Sequence, residues 1–181
     1  MKNITRKIVV LSILLAMCVA LSVIDSLISG AIISILPNIR LGISNIIILI
    51  VLYQYGFKEG LVLSVMKSII VGLLINGLVA FLIGGLASVL SVVGMFLVKK
   101  SLDKYLSIVS ISFVGGLIHI LIQLLVVSLI YKMYENVLMY GVYLVLISII
   151  TSIIIGVVSF YVNRTIDKNN LLKKEKSKSS I

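Results

Sequence analysis

The sequence predicts an all-α integral membrane protein, folded as a bundle of six transmembrane helices. Of its 181 residues, 61% are apolar and only 12% are charged, whereas a soluble domain usually carries about 25% charged residues. The mean hydropathy of the chain is +1.28. Apolar runs of the length that a spanning helix needs, roughly 20 residues, follow one another along most of the chain. Lipid is therefore the solvent that suits this composition, and the lipid bilayer is the first predicted partner.

Turn signals and charged residues separate the apolar runs from one another. Gly30 and Pro37 predict an apolar loop at the membrane interface over residues 29–39, and Asn76-Gly77 predicts a tight turn. The predicted spans are 8–28, 40–55, 60–78, 79–98, 106–130 and 137–161.

The polar end of the chain is distinct from the apolar part. From Asn163 onward the sequence is rich in lysine, and we expect this segment to be frayed or disordered. The predicted organisation is a six-helix transmembrane domain over residues 1–163, followed by a lysine-rich cytoplasmic tail over residues 164–181.

Basic residues are distributed unevenly between alternate loops. With a cytoplasmic N-terminus, the outer loops hold only Arg40 and Lys132. The cytoplasmic segments then hold Lys2, Arg6, Lys7, Lys58, Lys99, Lys100, Lys104, Arg164, Lys168, Lys173, Lys174, Lys176 and Lys178. Because basic loops stay inside, both termini are predicted to be cytoplasmic. The net charge of +10 does not indicate nucleic acid as a partner, since no basic helix face interleaved with aromatic residues occurs.

Polar side chains within the apolar runs are the strongest functional signal. Ionisable groups inside a bilayer are costly and are by default functional. In the predicted topology they converge on the outer half of the membrane, where they would form a pocket for a small polar or anionic solute. The predicted binding residues are Arg40, Asn45, Lys67, Asn76, His119 and Gln123.

Structural roles are the alternatives for single members of this set. Arg40 could be an interface anchor, and His119 could be a hydrogen-bonded core residue. Asp25, near the outer end of the first span, could pair with Arg40 or cap a helix end. Lys67 lies too deep in the third span to reach the interface easily, so it is the hardest to explain structurally.

Small residues recur every fourth position on three spans. The third span carries Gly60, Ser64, Ser68 and Gly72, the sixth carries Ser148, Ser152 and Gly156, and the first carries Ser12, Ala16 and Ala20. Such faces let helices approach closely in lipid, and packing alone would explain each of them.

Catalytic and metal-binding patterns do not occur in the sequence. The six acidic residues are scattered singly, so they do not form the paired carboxylates that hold magnesium on a diphosphate. No phosphate-binding loop, metal-ligand spacing or nucleophile with a base is found. We therefore expect no catalytic residues, no metal site and no enzyme activity, and any energy for transport would come from another subunit.

The segment Pro37-Asn38-Ile39-Arg40-Leu41-Gly42-Ile43-Ser44-Asn45 resembles a motif of the bacterial Gx transporter family, also described as heptaprenyl diphosphate synthase component I. The similarity extends over most of the chain. It continues through Tyr55-Gly56-Phe57-Lys58-Glu59, the region of Gly84, Gly85 and Ser88, and residues 116–123. Two positions differ from the family pattern: Lys67 stands where arginine is expected, and Ile120 stands where asparagine would follow His119.

That family looks like the substrate-binding S components of energy-coupling factor (ECF) transporters. The resemblance implies a multi-pass protein of the bacterial cell membrane that binds a solute from outside beneath the 29–39 loop, which would be the gate. It also implies, as partners, a transmembrane coupling subunit and two ATPases. The alanine pair that docks S components onto the coupling subunit is matched by Ala16 and Ala20.

Two other functions remain open at this stage. The family also resembles a membrane component of flavin-linked extracellular electron transfer, in which His119, Gln123 and Lys67 would hold a flavin or a quinone. Apart from such a bound ligand we expect no cofactor. The synthase description is the weakest alternative, because the magnesium-holding carboxylates are missing.

Overall fold

Helices make up almost all of the part of the chain that the structure describes. The computed structural model describes residues 2–32, 38–102 and 105–179, and the side chains of residues 4–31, 38–74, 77–102 and 105–169. The six helices are α1 (Lys2–Ile32), α2 (Asn45–Gln54), α3 (Phe57–Val71), α4 (Gly77–Leu102), α5 (Ile108–Tyr131) and α6 (Tyr134–Ser179). No strand occurs in these residues, so the all-α prediction with six helices is confirmed.

The helices differ in their ability to cross a membrane. Four of them, α1, α4, α5 and α6, are long and apolar enough to do so. α2 has 10 residues and is only about 15 Å long at 1.5 Å per residue, which is half of the roughly 30 Å hydrocarbon core. α3 has 15 residues and continues into a five-residue π-helical turn, Gly72–Asn76.

The predicted start of the second span is wrong. That span was expected to begin near Arg40, but α2 begins at Asn45 and residues 39–42 have no regular structure. Asn38 and Gly42 have φ angles of 62° and 87°, which interrupt a helix. Non-helical backbone at membrane depth is tolerated where protein groups satisfy its N–H and C=O groups. The contacts that do so here belong to the site described below.

The loop predicted over residues 29–39 begins later than predicted. α1 continues to Ile32, so residues 29–32 are helical. Residues 33–37, which include the proline, lie outside the described part of the chain.

The turn predicted at Asn76-Gly77 is confirmed. The π-helical turn ends at Asn76, and Gly77 begins α4 with a φ of 70°. Just before it, a Cβ on Gly72 would lie 2.6 Å from the Cβ of Phe81. Glycine at position 72 therefore allows α4 to fold back closely against the end of α3.

Small residues bring α5 close to α4 and α6. A Cβ on Gly116 would lie 2.5 Å from the Cβ of Ser152, so α6 approaches the α5 backbone directly. The Ser112 hydroxyl donates to the Ser152 carbonyl at 2.7 Å, and the Ser91 hydroxyl donates to the Gly115 carbonyl at 2.7 Å. Such hydrogen bonds and close contacts hold helices together where lipid supplies no hydrophobic driving force.

α2 lies at the centre of the bundle. It packs against α1, α3, α4 and α6. Ile48, Leu49 and Val51 are fully buried. α2 also lies beside α6, where the Gln54 amide nitrogen donates to Asn163 at 2.9 Å and to Asp167 at 3.1 Å.

The C-terminal segment extends α6 instead of leaving the helix. We expected the chain from Asn163 onward to be frayed, but α6 continues to Ser179. Lysine and glutamate are good helix formers, so a lysine-rich segment can extend a helix that packing has already started. The division into a membrane domain (1–163) and a cytoplasmic tail (164–181) stays a prediction.

Candidate functional site

Four ionisable side chains from different elements meet at one small buried cavity. They are Asp25 of α1, Arg40 of the loop before α2, Lys67 of α3 and His119 of α5. Each is at least nine-tenths buried, with exposed fractions of 1%, 9%, 5% and 5% respectively. The cavity has a volume of about 10 Å³, which is room for one water molecule. Its remaining wall is formed by Ser44, Ser68, Ala80, Gly84 and Gly85.

Asp25 fixes the backbone of the loop that carries Arg40. Its carboxylate accepts hydrogen bonds from the N–H groups of Leu41, Gly42 and Ile43, at 3.1, 2.9 and 3.1 Å. The Ser29 hydroxyl, one turn along α1, also donates to it at 3.2 Å. Hydrogen bonds to a charged acceptor are stronger than neutral ones. Asp25 therefore replaces the helical hydrogen bonds that this loop lacks.

Gln123 holds the same loop from the opposite side. Its amide oxygen accepts from the Arg40 N–H at 2.7 Å, and its amide nitrogen donates to the Arg40 carbonyl at 2.9 Å. Gln123 is fully buried. The Gln123 amide thus forms hydrogen bonds with both the N–H and the C=O group of Arg40, as a residue of a neighbouring β-strand does. These two bonds fix the backbone position from which the Arg40 guanidinium extends.

Lys67 is held by hydroxyl groups in the middle of the bundle. Its ammonium donates to the hydroxyls of Ser44 and Ser88, both at 3.1 Å. Ser88 also shares a 2.9 Å hydrogen bond with Ser64 of α3. The Lys67 ammonium is thereby fixed at the cavity wall by hydroxyl groups. Among the described residues no carboxylate forms an ion pair with it, and the ion pair that is present joins Lys7 to Glu59.

Several buried polar atoms around the cavity have no hydrogen-bond partner. They are Nε and Nη2 of Arg40, Nδ1 of His119 and Oδ1 of Asn45. A buried polar group that lacks a partner costs about 1–3 kcal/mol, and a charged one costs more. Folded proteins leave few such groups, so a concentration of them at one place requires an explanation. A polar molecule bound between them would supply the missing partners.

The side chains of Asn45 and His119 both lie close to Gly42. A Cβ on Gly42 would lie 3.1 Å from the Asn45 amide nitrogen and 3.4 Å from the His119 ring. Asn45 also lines a second cavity of about 10 Å³ beside Gly115, Gly116 and Ser152. The two small cavities are therefore lined by side chains, Asn45 and His119, that both approach the same side of Gly42.

The structure thus brings together most of the residues that the sequence predicts to bind a solute. Arg40, Lys67 and His119 share one cavity, and Asn45 lines the next one. Gln123 does not line the cavity, and its amide oxygen and nitrogen are both hydrogen-bonded to the backbone of Arg40. The Asn76 side chain lies outside the described residues. That these residues bind a solute stays a prediction.

Sequence reasoning missed the part played by serine hydroxyls and by Asp25. Ser44 and Ser88 hold Lys67, although nothing in their local sequence indicates this. Asp25 was expected to pair with the Arg40 side chain or to cap a helix, but its hydrogen bonds go to the loop backbone. An isolated carboxylate in an apolar run was the available signal for it.

The alanine pair of α1 points away from the bundle. Ala16 and Ala20 are exposed, together with Ile13, Met17 and Ile24 on the same face. The small residues of the other two faces are instead inside the bundle: Ser64 and Ser68 of α3, and Ser148 and Ser152 of α6, are buried. Packing within the chain therefore explains those two faces and leaves the α1 face uncovered.

The site offers no cluster of metal ligands within the described part of the chain. No group of three or more His, Cys, Asp or Glu side chains comes together there. Cys18 is fully buried in the core beneath the loop, and its thiol contacts the Ser44 carbonyl at 3.5 Å.

Comparison with known protein families identifies the chain. The model of the family described as heptaprenyl diphosphate synthase component I matches residues 14–162. The chain belongs to the heptaprenyl diphosphate synthase component I family. This is the family, also called the Gx transporter family, that the Pro37–Asn45 motif resembles, so that prediction is confirmed.

The heptaprenyl diphosphate synthase component I match covers every residue that lines the cavity. It extends from Leu14 in α1 to Val162 in α6. Together with the apolar helices, it supports a membrane protein of transporter type. Comparisons with curated proteins and with solved structures gave no match.

Proposed function

We propose that this protein is the solute-binding membrane subunit of an ECF-type uptake transporter, and that it captures a small polar or anionic solute from outside the cell. The family membership and the four long apolar helices support a membrane transporter-type protein. The further assignment to an S component rests on the resemblance of the family to those subunits. The six α-helices of the described residues agree with this assignment in number.

The observation that carries this proposal is the set of unpartnered polar atoms at this cavity and at the second cavity that Asn45 lines. Arg40, His119 and Asn45 each present at least one buried atom without a hydrogen-bond partner. Asp25 and Gln123 meanwhile accept hydrogen bonds from the backbone N–H groups of Gly42 and Arg40, and so hold the loop before α2 in place. The backbone that carries these side chains is thus held in place, while several of their polar atoms remain available to hydrogen-bond a ligand.

The solute reaches this site from the outside in the proposed orientation. Both termini lie in the cytoplasm of a bacterial cell, because the basic residues are concentrated in the segments that this orientation places inside. The loop that carries Arg40 then lies toward the outer surface. The gate predicted over residues 29–39 stays a prediction, because residues 29–32 belong to α1 and residues 33–37 lie outside the described part.

The uncovered face of α1 is the proposed docking surface for the coupling subunit. Ala16 and Ala20 leave a shallow strip between larger exposed side chains, Ile13 and Met17 among them. A helix of another subunit can approach such a strip closely. The coupling subunit and its two ATPases would supply the energy, since we expect no ATPase in this chain.

A non-catalytic role is proposed despite the synthase wording of the family description. Prenyl diphosphate chemistry requires carboxylates that hold magnesium, but Asp25 is engaged with backbone N–H groups and Glu59 pairs with Lys7. The other described acidic residues, Glu135, Asp167 and Glu175, lie apart on α6. These observations support a binding subunit over a catalytic one.

Purification from native membranes in mild detergent tests the proposal. We expect a transmembrane coupling subunit and two ATPases to co-purify with the protein, and mass spectrometry to find a small polar or anionic molecule bound to it. Recovery of a prenyl-transferring enzyme, or of flavin- or quinone-dependent redox proteins in place of the ATPases, would contradict it. A flavin or quinone absorbance of the purified protein would favour the electron-transfer function.

A further inference from the structure

The unpartnered atoms of Arg40 form one edge of its guanidinium group. Nε and Nη2 each direct one N–H bond outward from this edge, in parallel, and both nitrogens are buried without a partner. The remaining nitrogen, Nη1, faces α4, because it would lie 3.7 Å from a Cβ on Gly84. The edge formed by Nε and Nη2 has no acceptor among the described residues.

Two parallel N–H donors on one guanidinium edge match the two oxygens of an oxyanion. Carboxylates and phosphates accept both hydrogen bonds at once, at about 2.7–2.9 Å. A single carbonyl or hydroxyl oxygen could receive both donors only through bent, weaker hydrogen bonds. The geometry of the open edge therefore selects for an anionic group with two adjacent oxygens.

The acidic side chain nearest to Arg40 does not fill this role. Asp25 lines the same cavity, but its Oδ1 accepts from the Leu41 N–H and the Ser29 hydroxyl, and its Oδ2 accepts from the N–H groups of Gly42 and Ile43. Both carboxylate oxygens are thus committed to groups other than the Arg40 guanidinium.

Basic side chains outnumber acidic ones around the cavity. Arg40 and Lys67 face Asp25, and His119 contributes an unpartnered nitrogen. An incoming anion would therefore balance the formal charge of the cluster. The cavity holds only about one water, so the lining side chains have to move outward when an oxyanion enters.

We propose that Arg40 binds the oxyanion end of the transported solute, a carboxylate or a phosphate, side-on through Nε and Nη2, with Lys67 as the second positive charge. This inference rests on the solute-binding function proposed above and names the chemical class of the solute. Gln123 acts as a positioning residue for it, since it fixes the Arg40 backbone.

Thermal unfolding of the full-length protein in detergent tests the proposal with simple probes. Sodium phosphate and sodium acetate are titrated separately, and sodium chloride keeps the ionic strength constant. A probe that binds only the folded state raises the melting temperature in a saturable way. We expect this from at least one of the two: phosphate alone indicates a phosphate end, acetate alone indicates a carboxylate end, and both indicate an oxyanion site that does not select between them. If neither oxyanion raises the melting temperature above the chloride control, the inference is wrong.

Substitution of Arg40 tests the paired donors. Arg40→Lys keeps the positive charge and removes the guanidinium edge, so the apparent affinity for the stabilising probe is expected to fall at least about tenfold. The matched control is Arg164→Lys on the exposed surface of α6, which should bind the probe like the wild type. Equal binding by Arg40→Lys would overturn the assignment. If Arg40→Lys does not fold, the wild-type comparison of phosphate, acetate and chloride still decides.

Failure of this inference can be told apart from failure of the proposed function. Co-purification of the coupling subunit depends on the α1 face and not on the Arg40 donors. An intact complex whose S component binds no oxyanion would refute the solute class alone. Oxyanion binding by a protein that never associates with a coupling subunit would refute the transporter assignment alone.

Discussion

Asp25 and Gln123 act on the backbone, whereas Arg40 and Lys67 present charge to the cavity. Both supporting residues have their polar atoms engaged with the loop that precedes α2. Their contacts join residues far apart in sequence, since Gln123 is 83 positions from Arg40. At the scale of single residues, the site therefore consists of a rigid support and an incompletely bonded inner surface.

Replacement of Gln123 tests the supporting role. Gln123→Leu leaves the Arg40 N–H and C=O groups buried without partners, so the free energy of unfolding should fall by about 1–3 kcal/mol or more. Ligand retention should fall as well, because the guanidinium is no longer held in place. The measurement is chemical unfolding in detergent, together with mass spectrometry of the retained solute.

Gln54→Leu is the matched control for Gln123→Leu. Gln54 donates to Asn163 and Asp167, away from the cavity. This variant should lose some stability and keep the solute. If both variants lose the solute to the same extent, Gln123 acts through general stability and not through Arg40.

That Arg40, Lys67 and His119 lie close together could be predicted from the sequence, but the contacts that support them could not. Lys67, His119 and Arg40 stand out because polar groups are rare inside apolar runs. By contrast, the hydrogen bonds of Asp25 reach backbone N–H groups 16–18 positions away, and no local pattern indicates them. The hydroxyls that bind Lys67 belong to Ser44, in the loop before α2, and Ser88, in α4. No local sequence pattern indicates these contacts either.

At the scale of elements, the six helices follow from their apolar runs, whereas the start of α2 does not. A run of apolar residues does not distinguish helix from buried irregular backbone. The chain near Gly42 adopts a φ of 87° because Asp25 provides acceptors there for its N–H groups. The helix therefore begins only at Asn45, five residues after the predicted start.

Close contact between α5 and α6 gives a prediction about stability. A Cβ on Gly116 would lie 2.5 Å from the Ser152 Cβ, whereas a Cβ on Gly30 would meet nothing within 4 Å. Gly116→Ala should therefore destabilise the protein by about 1–3 kcal/mol through overpacking. Gly30→Ala is the matched control and should be neutral or slightly stabilising, since alanine favours a helix. Unfolding of both variants measures the difference, and equal stabilities would show that α6 does not pack closely at Gly116.

The exposed face of α1 gives a prediction about subunit docking. The double variant Ala16→Leu with Ala20→Leu fills the strip between the larger side chains, so it should keep solute binding and lose both transport and co-purification of the coupling subunit. Ala31→Leu, the same size change at the exposed end of α1, should keep all three. Uptake that survives the double substitution would show that the coupling subunit docks elsewhere.

At the scale of the whole molecule, the orientation in the membrane determines the side from which the solute arrives. Cys18 is fully buried, so single cysteines can be added at exposed sites and labelled with a membrane-impermeant maleimide. Glu135→Cys, in the first turn of α6, should react on intact cells, and Ser101→Cys, at the end of α4, should react only after lysis. The reverse pattern would place the cavity toward the cytoplasm and contradict uptake from outside.

The most direct test of the central claim is to quantify the small molecule that the protein retains when it is purified from native membranes. Wild-type protein, Lys67→Met and the exposed control Lys132→Met are compared by mass spectrometry after denaturation. We predict one polar or anionic compound in stoichiometric amount with the wild type and with Lys132→Met, and at least about tenfold less with Lys67→Met. The absence of any such compound from the wild type, or an equal amount with a folded Lys67→Met, would contradict the claim that this cavity binds the solute.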